Sequence, residues 1–151
     1  MKNNLTRGFT LIEVLLVIAI LAILAAIVII AINPAKQFGE AQDTQRRSDV
    51  RTILGAIQQY SIDNGGLYPD TIPVGGLCMS EGLDICMFEY PCSGIVLDVL
   101  AENQAYLTEI PYDPQTGGED ITGYRAVITN DNRVSVCAPD TYADEPIVVT
   151  Q

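Results

Sequence analysis

The 151-residue sequence contains no histidine. That absence excludes Ser-His-Asp and Cys-His nucleophilic catalysis, His-ligated zinc and imidazole proton shuttles. Basic residues are also scarce, with 8 Lys and Arg against 19 Asp and Glu, for a formal charge of -11. The shortage is uneven. Residues 61–151 hold only Arg125 and Arg133 against fifteen acids, whereas residues 1–60 are slightly basic. A surface that acidic repels phosphates, so no nucleic-acid partner is expected. There is no Cys-x-x-Cys, which leaves a redox motif unsupported, and no Asp-x-Asp-x-Asp ladder of the kind that holds calcium. The length allows one ordinary domain and little more.

What the sequence does have is one long apolar run. Between Phe9 and Ile32 only Thr10 and Glu13 are polar, and Val14–Ile32 is 19 residues of Val, Leu, Ile and Ala. As a helix that run spans roughly 28 Å, about one hydrocarbon core. A cleaved secretory signal is usually shorter and ends in a small-x-small site, and no Ala-x-Ala follows here. A core helix should show a polar face, and this one has none. The run reads as a membrane anchor. Lys2 and Arg7 precede it and place the N-terminus in the cytoplasm. Lys36, Arg46, Arg47 and Arg51 follow it, but they are mixed with acids, and a long domain is translocated largely regardless of charge. Residues beyond about 33 are expected outside the cytoplasmic membrane.

Glu13 is the anomaly, because a carboxylate in a membrane helix is costly and is retained for a function or snorkels to the interface. It lies in Arg7-Gly8-Phe9-Thr10-Leu11-Ile12-Glu13-Val14. This stretch closely resembles the processing site of type IV prepilins and pseudopilins, in which a short basic leader ends in Gly before a Phe-Thr-Leu-Ile-Glu start. The resemblance implies removal of residues 1–8 by a prepilin peptidase cutting between Gly8 and Phe9, and N-methylation of Phe9. Residues 9–33 are then the transmembrane and assembly helix, and residues 34–151 the extracytoplasmic domain. After cleavage Glu13 is expected to meet the Phe9 amine of a neighbouring subunit, which offsets the burial of both charges and sets the register.

Beyond the anchor, Asn33-Pro34 either breaks the helix or caps a second one. Val50, Ile53, Leu54, Ile57, Tyr60 and Ser61 form a stripe at three- and four-residue steps, and Asn64-Gly65-Gly66 is a stop signal. Arg46, Arg47, Asp49, Gln58 and Gln59 read as lying off that stripe. The resemblance implies an α+β fold in which the amphipathic half of the long helix, 34–64, packs on a small sheet. Residues 73–93 read as loop, 95–101 as one or two helical turns, and 110–118 as irregular. Gly123–Thr129 and Arg133–Ala138 read as a hairpin and Ile147–Thr150 as a last strand. Three or four antiparallel strands are expected.

The four cysteines, Cys78, Cys86, Cys92 and Cys137, all fall in the exported part and are expected to form two disulfides. The preferred pairing is Cys78–Cys86 with Cys92–Cys137, and the nested alternative is Cys78–Cys137 with Cys86–Cys92. Asp113, Glu119, Asp120, Asp131, Asp140, Asp144 and Glu145 offer oxygens for Ca²⁺, as in the calcium site that the resemblance to major pseudopilins of type II secretion implies. Without a ladder they read as solvated loop acids, so no cofactor is assigned. The functional expectation is a non-enzymatic subunit of a type IV pilus-like filament at the bacterial cell surface, held in membrane lipid before assembly. Its partners are further copies of itself, the peptidase and a membrane assembly platform. The alternatives are a pseudopilin of type II secretion and an anchored adhesin that never polymerises. An anchored enzyme is disfavoured because nothing marks pairs such as Asp113 and Glu119 as a convergent site.

Overall fold

The computed structural model describes residues 8–87, 92–118, 120–143 and 145–151, as two compact units, the first ending at Phe38 and the second Gly39–Gln151. In the first unit, α1 runs Leu11–Ile32 without Gly or Pro, and every residue of it is exposed. Its best 18-residue window has a mean hydropathy of 3.6, so α1 is a transmembrane helix by length and composition. It ends at Asn33, whose φ of 48° is left-handed, a conformation Asn tolerates better than most residues. Pro34 then opens α2, Pro34–Asp63. The Gln37 amide donates to the Asn33 carbonyl, and proline's missing N–H is no loss at a first helical position. Both readings of Asn33-Pro34 hold at once: one helix stops there and another starts.

In the second unit, α2 supplies Val50, Ile53, Leu54 and Ile57 to the main core, as the stripe predicts. They pack with Tyr124, Ala126, Val134 and Val136 of the sheet. The stop signal also works as read: Gly65 and Gly66 take φ of 68° and 93°, and the Gly66 amide donates to the Ser61 carbonyl at 2.7 Å. After α2 come α3 (Cys78–Glu81), β1 (Leu83–Cys86), β2 (Ile95–Val96), α4 (Asp98–Ala101), β3 (Ile121–Ile128), β4 (Val134–Ala138) and β5 (Ile147–Thr150).

The sheet corrects the sequence reading. Among the described residues it has five strands in the order β2-β1-β3-β4-β5, and β1 pairs with β2 in parallel, so it is mixed rather than antiparallel. The expected hairpin is β3–β4, and β5 pairs antiparallel with β4. The two extra strands come from segments that read as loop and as helical turns. β2 is two residues and β1 four, both too short to show alternation. Along β4, Val134, Val136 and Ala138 face the main core, while Cys137 joins Cys78 and Val127 in a second cluster. That division follows the period of two.

The disulfides are Cys78–Cys137 and Cys86–Cys92, the nested alternative and not the preferred pairing. The preferred pairing treats residues 73–93 as one loop able to clip itself. Instead α3 places the Cys78 sulfur 3.4 Å from the Arg125 carbonyl, and Arg125 is the register partner of Cys137. Cys86 ends β1 beside β2, close to where Cys92 enters. The two bonds close loops of 59 and 6 residues. In the chain-entropy account the long one contributes about 4 kcal/mol and the short one about 2. Chemical denaturation of the Cys78→Ala/Cys137→Ala and Cys86→Ala/Cys92→Ala chains should therefore show the first as clearly the less stable. An equal or reversed order would refute that account here.

Candidate functional site

Two places carry chemistry. The first is the head of α1. Gly8 and Phe9 are exposed and non-helical, and a side chain at Gly8 would meet nothing within 4 Å. The peptide bond between them lies in an open segment just ahead of the first helical turn. The leader residues 1–7 lie outside the described residues. Thr10 has extended backbone (φ -79°, ψ 151°) and is the N-cap of α1. Glu13 sits at the third helical position and completes a capping box. Its Oε2 accepts from the Thr10 backbone N–H and hydroxyl, each at 2.8 Å, while the Glu13 amide donates to Thr10 Oγ1 at 3.3 Å. In the single chain the carboxylate is thus turned back on its own helix end, where the positive pole of the helix also favours it. The sequence holds this signal in Thr10-x-x-Glu13, a pattern overshadowed by the question of why a charge interrupts an apolar run.

The second place is a buried polar network, and it includes Arg46 and Asp49, which sequence reading puts off the stripe. Arg46 is fully buried. Its Nε lies 2.5 Å from Asp113 Oδ2, its Nη1 2.8 Å from Asp43 Oδ1, and its Nη2 donates to Asp113 Oδ1 and Gln115 Oε1. Asp43 in turn accepts from the backbone amides of Tyr142 and Ala143. Asp49, also buried, accepts from the Tyr124 hydroxyl at 2.7 Å. Among the described residues no buried side-chain nitrogen or oxygen lacks a partner. Gly39 completes this face of α2. A Cβ there would collide with the ring of Tyr142, so the close approach requires glycine.

Charge states follow the geometry. Burial pushes Asp43 and Asp113 up, but their backbone N–H donors and the Arg46 guanidinium outweigh it, and both carboxyls titrate below the ordinary range. The hydrogen bond to Asp113 raises Arg46, which stays charged. Burial, reinforced by Asp49, raises the Tyr124 phenol. Asp113 is a loop acid and candidate calcium ligand by sequence; in the structure both of its oxygens are engaged by Arg46. Asp120, Asp131, Asp140 and Glu145 are exposed surface acids, and Glu119 and Asp144 lie outside the described residues. Among the described residues no three His, Cys, Asp or Glu side chains are grouped to hold a metal ion.

Residues 3–32 match the family model described as the prokaryotic N-terminal methylation motif. The chain therefore carries the leader signature shared by type IV pilins and pseudopilins, and the match stops where α1 ends. No curated protein and no solved structure matches the chain.

Proposed function

From that leader signature we propose that the chain is a structural subunit of a type IV pilus-like filament, polymerising through α1 once residues 1–8 are removed. The observation that carries the reading is the methylation motif joined to a transmembrane helix with one acid near its start. An anchor that only held a domain on the membrane would need Glu13 for no more than capping its own helix. In this reading Glu13 leaves its Thr10 cap for the Phe9 amine of a neighbour, the peptidase and an assembly platform are transient partners, and no catalytic group or cofactor is assigned. The subunit waits in the cytoplasmic membrane with its N-terminus inside and ends in a surface fibre.

Intact-mass analysis of sheared surface fibres tests this directly. The subunit is expected to begin at Phe9 and to carry one added methyl group. A fibre subunit beginning at Met1, or cut beyond Ile32, would refute it. Recovery of processed subunit only in the membrane, with none in fibres, would favour a pseudopilin.

A further inference from the structure

Arg47 and Arg51 lie one turn apart on α2, on the side facing away from the core, and both are exposed. Like charges at that spacing repel. With Thr44, Ser48 and Thr52 they line one shallow groove, and among the described residues neither arginine has an ion-pair partner. Elsewhere in this unit Arg125 is held by Asp84 and Arg46 by Asp43 and Asp113. A mutually repelling pair of this kind sits on a domain whose remaining surface is strongly acidic, and it is suited to meet an anionic surface supplied from outside.

The same unit presents such a surface. Asp70 and Asp98, both exposed, line a groove of about 270 Å³ with Tyr60, Pro69, Val96 and Val99. Two carboxylates beside an aromatic ring and an apolar floor suit a guanidinium, which pairs in plane and stacks on its face. Tyr60 lies nine residues after Arg51 on α2, roughly 14 Å further along the helix axis. The basic and acidic patches are therefore displaced along one helix. That displacement suits a staggered contact between identical copies, where one copy's patch meets a different patch of the next and the interface repeats without closing.

We propose that Arg47 and Arg51 of one copy dock into the Asp70–Asp98 groove of the next, the occupant being a second copy of this chain. The inference rests on the filament reading above. Its test is a charge swap in the full chain, read as subunit abundance in membranes and in sheared fibres. Arg47→Glu/Arg51→Glu is expected to leave membrane abundance unchanged and to lower fibre yield by about tenfold or more, as like charges then face each other. Adding Asp70→Lys/Asp98→Lys to the same chain is expected to restore fibres. A second measurement does not depend on loss of fibres. The Arg47→Lys/Arg51→Lys chain, treated in fibres with a carbodiimide, should yield an amide link from one of the two introduced amines to Asp70 or Asp98 of another subunit. Normal fibre yield from the reversed arginines, or loss without rescue and without that link, would overturn the docking while leaving the filament reading intact. Absence of the wild-type chain from fibres would overturn both.

Discussion

Arg46→Ala is expected to remove about 3–5 kcal/mol of stability, because it leaves Asp43 and Asp113 as buried charges without their cation. Domains of this size have about 5–15 kcal/mol in total, so that loss takes a large share of the second unit's stability. Arg46→Lys keeps the charge but cannot present a fork to both carboxylates, and should fall between. Arg46→Ala/Asp113→Ala should cost less than the two single changes together, since the second relieves the first. Denaturant titration of the detergent-solubilised chain, followed by tyrosine fluorescence, would measure all of these. A loss below about 1 kcal/mol for Arg46→Ala would mean the pair acts like an exposed one. The pH dependence follows from the same groups. Asp43 and Asp113 have lowered native values, so their contribution is fully present above the ordinary carboxylate range near pH 4. It is lost as pH falls through those lowered values, and the wild type should become acid-labile only below that point.

Glu13→Val is expected to insert in the membrane at least as well as wild type and to be nearly absent from fibres. The substitution removes a charge from the apolar run, which favours insertion, and removes the only acidic side chain near the head of α1 that can meet an incoming amine. Glu13→Asp shortens the reach by one methylene and should give an intermediate yield. The capping box adds a control. Thr10→Val removes the hydroxyl bond to Glu13 while keeping the carboxylate. If Glu13 acts by pairing with a neighbour, Thr10→Val fibres should remain close to wild type. If its only task is to cap its own helix, Thr10→Val should also lose fibres, though less completely, because the Thr10 backbone N–H still donates to Glu13. Normal fibre yield from Glu13→Val would show that the carboxylate is not the assembly determinant.

The anchor, the second helix, the hairpin and the last strand are legible in the sequence because each spans enough residues to express a period or a continuous apolar run. β1 and β2 are not, because four and two residues express neither, and their pairing is decided by what packs around them. The error in cysteine pairing follows from that omission, since the route of the chain between Cys78 and Cys86 decides which sulfurs meet. The Arg46 network escapes sequence reading for a different reason. Counting back from Val50 in threes and fours gives Arg46, Asp43 and Gly39, so the buried face of α2 continues through them. The spacing is regular, but the residue types are polar, and a hydrophobicity pattern treats such positions as solvent-facing. A buried charge becomes legible only when its counter-charge is known, and Asp113 lies 67 residues away.

That distance along the chain has a consequence for the order in which the domain is made. α2 is synthesised first, yet the groups that satisfy its polar face arrive late. Asp113 follows Arg46 by 67 residues, Tyr124 follows Asp49 by 75, and Tyr142 follows Asp43 by 99. Until the last of these emerges, the stretch of α2 between Gly39 and Asp49 holds charges that it cannot bury, so it stays solvated while Val50–Ile57 is ready to collapse. Contacts this remote in sequence form slowly. A chain halted before residue 142 would expose the unfilled side of its core and be open to proteolysis until its C-terminal segment is complete.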